Sequence, residues 1–419
     1  MTKFELFEYL KDYATYNAII CAKCGQCRVL CPIYESTGKE FSTARAKVSL
    51  IEMAIFTNYI PGERFYEIMS QCTTCMGCRE KCTNDVRMDL IIALGRFIWS
   101  ERRGSTSLPL FFEVLKNSRR LGFLLKILRP FQNLFLNHNS PRLKKLFKRT
   151  YVPRIEKKFL REEFNEIIVK AEKERGRVIF FPGCFLDFFF PEIGTSVIKL
   201  LTSFGISVVL PKNWSCCGIP AIGFGELMSA YRMAAINAEI LERIGGDLII
   251  TACGSCGATL KDHAPLLFGW KDKKIEETGK RVKDIMEFIY SDDEFKKIRD
   301  MNSNHIRAFY HPSCHLKRGM GVHKEAVEVL KYLKNIELKE MEEKCCGFGG
   351  SFNIRWYDFS VEIGERRINA IKDDPPDYLL TGSPGCMMQF RDIISREKIK
   401  IEVTHPVVLM WREIEKELR

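Results

Sequence analysis

Seventeen cysteines in a chain of 419 residues fall into four groups whose spacings suit metal–thiolate chemistry. Two groups are short runs near the N-terminus: Cys21, Cys24, Cys27 and Cys31, then Cys72, Cys75, Cys78 and Cys82. The other two are long-range sets: Cys184, Cys216, Cys217, Cys253 and Cys256, then Cys314, Cys345, Cys346 and Cys386. A C-x2-C-x2-C-x3-C run wraps three thiolates around one face of a cubane iron–sulfur cluster, while its fourth cysteine reaches the neighbouring cluster. The spacing therefore predicts one [4Fe-4S] cluster on Cys21, Cys24, Cys27 and Cys82, and a second on Cys72, Cys75, Cys78 and Cys31. Thr83 stands where the first run has Pro32, but that proline only turns the chain after the ligand. Structural zinc would call for four ligands per site, often as paired C-x2-C elements, and fits these runs less well. A disulfide framework belongs to small secreted chains, and the opening MTKFELFEYLKDY lacks the basic-then-apolar pattern of a signal peptide.

These cysteines need elements to position them. Leu6, Leu10, Tyr13 and Tyr16 recur at helical spacing before the first run, Thr43 to Ala54 reads as a helix between the runs, and Met88 to Ser100 as another after the second. Residues 1–102 are thus expected to form an all-helical two-cluster ferredoxin domain.

Residues 103–175 differ in composition. Between Arg103 and Arg161 there are 15 Lys/Arg and two acids, Glu113 and Glu156, so this stretch holds the whole positive excess of a chain whose net charge is +12. Leu and Phe are interleaved with the charges, and Pro109, Pro130, Pro141 and Pro153 divide the stretch into short amphipathic helices. It reads either as a linker packed on its neighbours or as a surface for anionic lipid or an acidic partner. No zinc-finger, homeodomain or RNA-binding signature accompanies the charge, so no nucleic-acid partner is expected. No window of 18 residues is free of charges, so no spanning helix is expected either.

The remainder is an internal repeat, 176–300 and 301–419. An apolar strand delivers Cys184 in one copy (Val178 to Phe181) and Cys314 in the other (Ala308 to Tyr310). A second strand, Gly205 to Leu210 or Ile336 to Leu338, precedes a Cys-Cys-Gly turn. A third, Asp247 to Ile250 or Asp377 to Leu380, leads into Cys253-Gly-Ser-Cys256 or Cys386-Met-Met-Gln389. On that pairing Gln389 takes the place of Cys256. Strands alternating with helices imply parallel sheets, whose ligands gather at strand C-termini, where these cysteines fall. The fold class is therefore multi-domain α+β, with the helical ferredoxin domain followed by two α/β parallel-sheet cysteine-rich domains.

With its C-x31-CC-x35-C-x2-C spacing the chain resembles the cysteine-rich domain family shared by heterodisulfide reductase, glycolate oxidase, lactate-utilisation proteins and anaerobic glycerol-3-phosphate dehydrogenase. Tyr34 to Gly38, Cys345 to Phe352, Ser383 to Gln389 and His405-Pro406-Val407 look most like the glycolate oxidase iron–sulfur subunit type. The resemblance implies a noncubane [4Fe-4S] cluster on Cys184, Cys216, Cys217, Cys253 and Cys256. For Cys314, Cys345, Cys346 and Cys386 it implies a cluster with one irregular ligand, or zinc instead. It further implies an electron-transfer subunit of a 2-hydroxy-acid dehydrogenase, served by an FAD-containing partner and delivering to quinone or a membrane cytochrome. The chain would then be cytoplasmic and peripheral on the cytoplasmic face of the membrane, touching it through residues 103–161. The alternative implied is heterodisulfide reductase-like thiol/disulfide chemistry at the noncubane cluster.

No catalytic residue is assigned. His311, His315 and His323 flank Cys314; His311 and His315 read as capping and packing the cysteine turn, with iron ligation or proton relay as the other reading. Gly319-Met-Gly321 and Gly223-Phe-Gly225 lack the rest of a dinucleotide fingerprint, and no flavin or nicotinamide site is expected.

Overall fold

The computed structural model describes residues 1–57, 59–104, 108–132, 149–164 and 168–418. The N-terminal part is helical: α1 (Lys3–Ile20), α2 (Pro32–Thr37), α3 (Ala44–Phe56), α4 (Glu63–Ser70), α5 (Gly77–Glu80) and α6 (Met88–Arg103). A capping box between Thr2 and Glu5 starts α1, whose Leu6, Leu10, Ala14 and Ala18 are buried at four-residue spacing. That stripe packs on α6, which is buried from Leu90 to Phe97 and also meets α3 and α4. Two further helices, α7 (Leu108–Leu115) and α8 (Ser118–Leu128), lie in the basic segment.

Nine strands are present among the described residues, in two sheets. The first is ordered β1-β3-β2-β4-β5, from Ile168–Val169 (β1), Gly176–Phe180 (β2), Ile206–Val209 (β3), Ile249–Thr251 (β4) and Val282–Asp284 (β5). The second is ordered β7-β6-β8-β9, from Ile306–Tyr310 (β6), Ile336–Glu340 (β7), Tyr378–Leu380 (β8) and Glu402–Thr404 (β9). All pairings are parallel except β1 with β3. Each repeat is thus a four-stranded parallel sheet, and β1 adds an antiparallel edge to the first. Central β3 reads Ile-Ser-Val-Val and is buried throughout, as a strand covered by helices on both faces must be.

The two sheets are joined by helix Pro191–Ser203 against helix Pro406–Leu418, and by helix Gly254–Ala258 against the turn His315–Gly319. The backbone N–H of Gly254 donates to the carbonyl of Gly382 at 2.9 Å, so the cysteine-bearing strand ends of the two repeats face each other.

Basic segment 108–132 is partly packed and partly bare. Phe112, Leu115 and Leu121 are buried, and Leu115 accepts from the backbone N–H of Cys216 at 2.9 Å. Its other face leaves Leu110, Phe111, Phe123, Leu124, Ile127, Leu128 and Phe131 exposed. Arg142, Lys144, Lys145 and Lys148 lie outside the described residues.

Candidate iron–sulfur centres

The two N-terminal runs close around two adjoining cavities. Cys21, Cys24, Cys27 and Cys82 line one, and Cys31, Cys72 and Cys75 line the other, with Cys78 bordering both. The loops between cysteines carry unusual backbone. Lys23 (φ 53°) and Thr74 (φ 51°) occupy equivalent positions in their runs, as do Gly25 (φ 89°) and Met76 (φ 58°), and all four are left-handed. For side-chain-bearing residues, above all β-branched Thr74, that conformation costs on the order of 1–3 kcal/mol. It turns successive thiols toward one point. Backbone N–H groups also reach sulfur: Thr74 to Cys72 at 3.4 Å and Tyr34 to Cys31 at 3.5 Å. Such bonds tune a cluster's potential.

Buried Lys47 lies on the second cavity, its ammonium donating to the carbonyls of Ser42 at 2.7 Å and Gln71 at 3.2 Å. Burial raises the pKa of Cys31, and the Lys47 cation opposes that rise. A cation beside thiolates offsets part of the charge that a cluster site concentrates.

In the first repeat the strand ends gather Cys184, Cys216, Cys217, Cys253 and Cys256. The thiols form a chain of neighbours: Cys216 interacts with Cys184 and Cys217, and Cys256 with Cys217 and Cys253. Hydrogen bonds from Cys216, then Cys256, hold Cys217 well below the ordinary thiol range despite burial. Cys184 is half-buried and the other four are buried. Gly218 follows the cysteine pair at φ 98°, as Gly347 does at φ 89° in the second repeat, a conformation glycine adopts at no steric cost.

In the second repeat Cys314, Cys345, Cys346 and Cys386 are all buried, with Cys346 and Cys386 sulfurs 3.1 Å apart. Cys386 is drawn down to about 5, first by Cys346 and then by the imidazole of His311, against the effect of burial. None of the 17 cysteines is in a disulfide.

Strand register changes one correspondence drawn from the sequence. Ile179 pairs with Ile249 on β4, and Phe309 pairs with Leu379 on β8. Counting on from those pairs sets Cys253 against Ser383 and Cys256 against Cys386. Backbone shape agrees: Cys253 (φ −139°, ψ 103°) and Ser383 (φ −142°, ψ 121°) each cap the helix that follows. The cysteine missing from the second repeat is therefore at Ser383, and Gln389 does not correspond to Cys256. Gln389 lies one helical turn further on, donating to Ser360 O at 2.6 Å and accepting from Asn353 at 3.0 Å.

The histidines also depart in part from expectation. His311 is wholly buried and packs on Phe390, as expected, but among the described residues neither ring nitrogen completes a hydrogen bond to the turn, and the imidazole faces the Cys386 thiol instead. His315 Nδ1 lies 3.2 Å from the Ser255 hydroxyl, and burial pushes its pKa down to about 4. His323 pairs with Glu340 at 3.0 Å. Asp89, Asp262 and His263 also cluster, but Arg87 bridges the two carboxylates at 2.5 and 3.0 Å, which makes this an ion-pair network between the helical domain and the first repeat.

The same architecture is found in known proteins. Residues 17–86 match the 4Fe-4S dicluster domain, and residues 178–261 and 308–391 each match the cysteine-rich domain CCG. The chain is 30% identical to an uncharacterised iron–sulfur protein of Methanococcus maripaludis over 90% of its own length and 68% of that protein's. It is 27% identical to a probable glycolate oxidase iron–sulfur subunit of Bacillus subtilis, over 92% of this chain and 91% of that one. It is 32% identical to a subunit of the CoM/CoB fumarate reductase of Methanothermobacter marburgensis, over 53% of this chain and 43% of that one. On these matches the chain belongs to the family of iron–sulfur proteins that carry a 4Fe-4S dicluster domain and cysteine-rich CCG domains.

Proposed function

We propose that this chain is the electron-transfer subunit of a flavin-dependent 2-hydroxy-acid dehydrogenase complex of the glycolate or lactate type. A separate FAD-containing subunit would oxidise the acid, and the acceptor beyond this chain would be quinone or another membrane carrier. The observation that carries this reading is the continuity of the cysteine sets. Cys24 is exposed, Cys78 borders both N-terminal cavities, and Cys75 lies against Cys314 and Cys345 of the second repeat. Thiols thus line a route from the surface, past both cavities, to a buried site. Similarity to the glycolate oxidase iron–sulfur subunit along almost the whole of both chains supports the same reading.

On this reading Cys21, Cys24, Cys27 and Cys82 hold one cubane cluster, and Cys31, Cys72, Cys75 and Cys78 a second. Cys184, Cys216, Cys217, Cys253 and Cys256 hold a noncubane cluster, and Cys314, Cys345, Cys346 and Cys386 a fourth. Such clusters accept and release electrons one at a time. The remaining work falls to the protein. An open groove lined by Cys24, Gln26, Arg28, Tyr34, Glu35 and Lys344 gives a partner access to the exposed end. Lys47 balances charge inside, and burial of the second-repeat cysteines keeps water from that end.

The exposed apolar face of α7 and α8 is the side on which the complex meets a membrane. No helix among the described residues is long and apolar enough to cross one. Arg119, Arg120 and Lys126 are exposed on α8, beside Phe123 and Ile127, the pairing that interfacial helices use.

One observation favours a second reading. Cys184 alone of its set is partly exposed, which would give a substrate sulfur access to a noncubane cluster and allow thiol/disulfide chemistry.

The test is the isolated chain. It is expected to bind no flavin and to leave glycolate and lactate unoxidised with any dye acceptor. Hydroxy-acid oxidation by the single subunit would overturn the electron-transfer role, and disulfide reduction driven by a reduced viologen would favour the second reading.

A further inference from the structure

Relative to the first repeat, the second has lost a thiol and gained an imidazole. The loss is at Ser383, which stands where the first repeat has Cys253. The gain is at His311, one strand away. The backbone N–H of Phe181 donates to Ile250 O at 2.8 Å, and that of His311 donates to Leu380 O at 2.8 Å, so the two residues hold the same register position. Phe181 fills its place with hydrocarbon, its ring 6.2 Å from that of Trp214. His311 puts two nitrogens there instead.

Those nitrogens complete no hydrogen bond among the described residues, and the group the imidazole faces is the Cys386 thiol, whose pKa it lowers. His311 is 0% exposed. A buried polar group left unpaired is unfavourable unless something takes its lone pair. One of its ring nitrogens and the sulfurs of Cys346 and Cys386 all lie within 4.8 Å of one another. Phe390 packs edge-on against the imidazole, ring centres 4.8 Å apart, and fixes its plane.

We propose that His311 is a ligand of the second-repeat iron–sulfur cluster, binding iron through a ring nitrogen beside Cys314, Cys345, Cys346 and Cys386. The proposal rests on the reading that this repeat holds a cluster. It restores five donors, the number in the first repeat, after the loss at Ser383. Five donors also exceed the four of a tetrahedral structural zinc. A neutral imidazole in place of a thiolate leaves the site one negative charge poorer, which raises its reduction potential, as His ligation does in Rieske centres. The site would then be a better electron acceptor than the same site with a fifth thiolate.

The experiment is pulsed EPR on the anaerobically purified full chain, poised where the second-repeat cluster is paramagnetic, with and without 15N-histidine. The expected result is a strongly coupled nitrogen that changes with the isotope and disappears in His311→Phe and His311→Cys. His311→Cys should keep the cluster at a lower potential, and His311→Phe should lose about four irons per chain. A second-repeat cluster without histidine coupling, or His311→Phe with full iron and an unchanged potential, would overturn the ligation and leave the cluster reading standing. Cys346→Ser separates the two claims. If it loses no iron, or loses zinc instead, the second repeat holds no cluster and both claims fail.

Discussion

Cys75 of the helical domain lies against Cys314 of the second repeat, thiol beside thiol. A hydrogen bond from Cys314 favours the Cys75 thiolate, but Cys345 and burial outweigh it and push Cys75 up to about 12. Arg318 fastens the contact. Its guanidinium pairs with Glu80 and donates to Cys75 O at 3.3 Å and to Glu343 O at 2.9 Å. Gly349, at φ 54°, lies so close to Thr73 that an added Cβ would sit 2.9 Å from the Thr73 Cα. The helical domain and the second repeat therefore meet through cysteine-bearing loops.

Cys75→Ser should accordingly disturb two centres. The expected outcome is loss of about four irons from the second cubane together with a shifted EPR signal from the second repeat. Cys24→Ser, at the exposed end, should leave the second-repeat signal unchanged. Equal effects of the two variants on that signal would remove the contact's significance.

Iron content separates the N-terminal sites from the first repeat. With all four sites filled, anaerobically purified protein should carry about 16 irons per chain, and about 12 if the second repeat holds zinc. Cys217→Ser should cost about four of these and leave the spectra of the N-terminal pair intact. A parent chain with about eight irons would leave both repeats without a cluster.

Much of this was legible in the sequence, for identifiable reasons. Cysteine spacing is local, so the two N-terminal runs could be read directly. The strands of both repeats could be placed because each is a short apolar run ending at a cysteine. The correspondence of Cys253 with Ser383 was hidden because Cys386-Met-Met-Gln389 imitates a C-x2-C with its last cysteine gone; the pairing of β2 with β4 compared with that of β6 with β8 fixes the register. The lone pairs of His311 were hidden too, since a histidine next to a cysteine turn reads equally as a cap. The left-handed residues Lys23, Thr74 and Met76 have no propensity for that conformation, which the convergence of the cysteines imposes. Two-residue β1 lies just beyond the basic stretch and is too short to show a strand period.

Asp284 gives the first repeat a pH dependence. It is wholly buried, caps helix Ile285–Ser291 through the Met286 N–H at 2.9 Å, and leaves its other carboxylate oxygen unpaired. Burial pushes its pKa up to about 7. The folded state therefore holds a proton that the unfolded chain releases near pH 4, and stability falls as pH rises from about 4 to about 7. Asp284→Asn keeps a capping side chain without the charge, and should raise stability at pH 8 by roughly 2–4 kcal/mol. Anaerobic thermal unfolding of the two proteins at pH 5 and pH 8 checks this: the variant's advantage should be present at pH 8 and small at pH 5.

The exposed face of α8 should bind anionic vesicles and be released by salt, since each Lys or Arg at an anionic surface contributes about 1 kcal/mol. Replacing Phe123 and Leu128 by Ser removes two exposed apolar side chains and should weaken sedimentation with vesicles tenfold or more. Changing Arg142, Lys144, Lys145 and Lys148 to Gln should weaken it too, with the clusters retained; Arg149 is left in place because it is bonded to Asn353 of the second repeat. A parent chain that never sediments with vesicles would assign this face to a protein partner.

The most direct measurement is substrate-driven reduction of the chain. The purified protein, oxidised and anaerobic, is mixed with its proposed FAD-containing dehydrogenase partner and with glycolate or lactate, while the visible iron–sulfur absorbance is followed. The expected result is bleaching that requires the acid and the flavoprotein together, and that recovers on adding a quinone analogue. Clusters that stay oxidised with the reduced flavoprotein, yet turn over a disulfide with reduced viologen, would contradict the electron-transfer role.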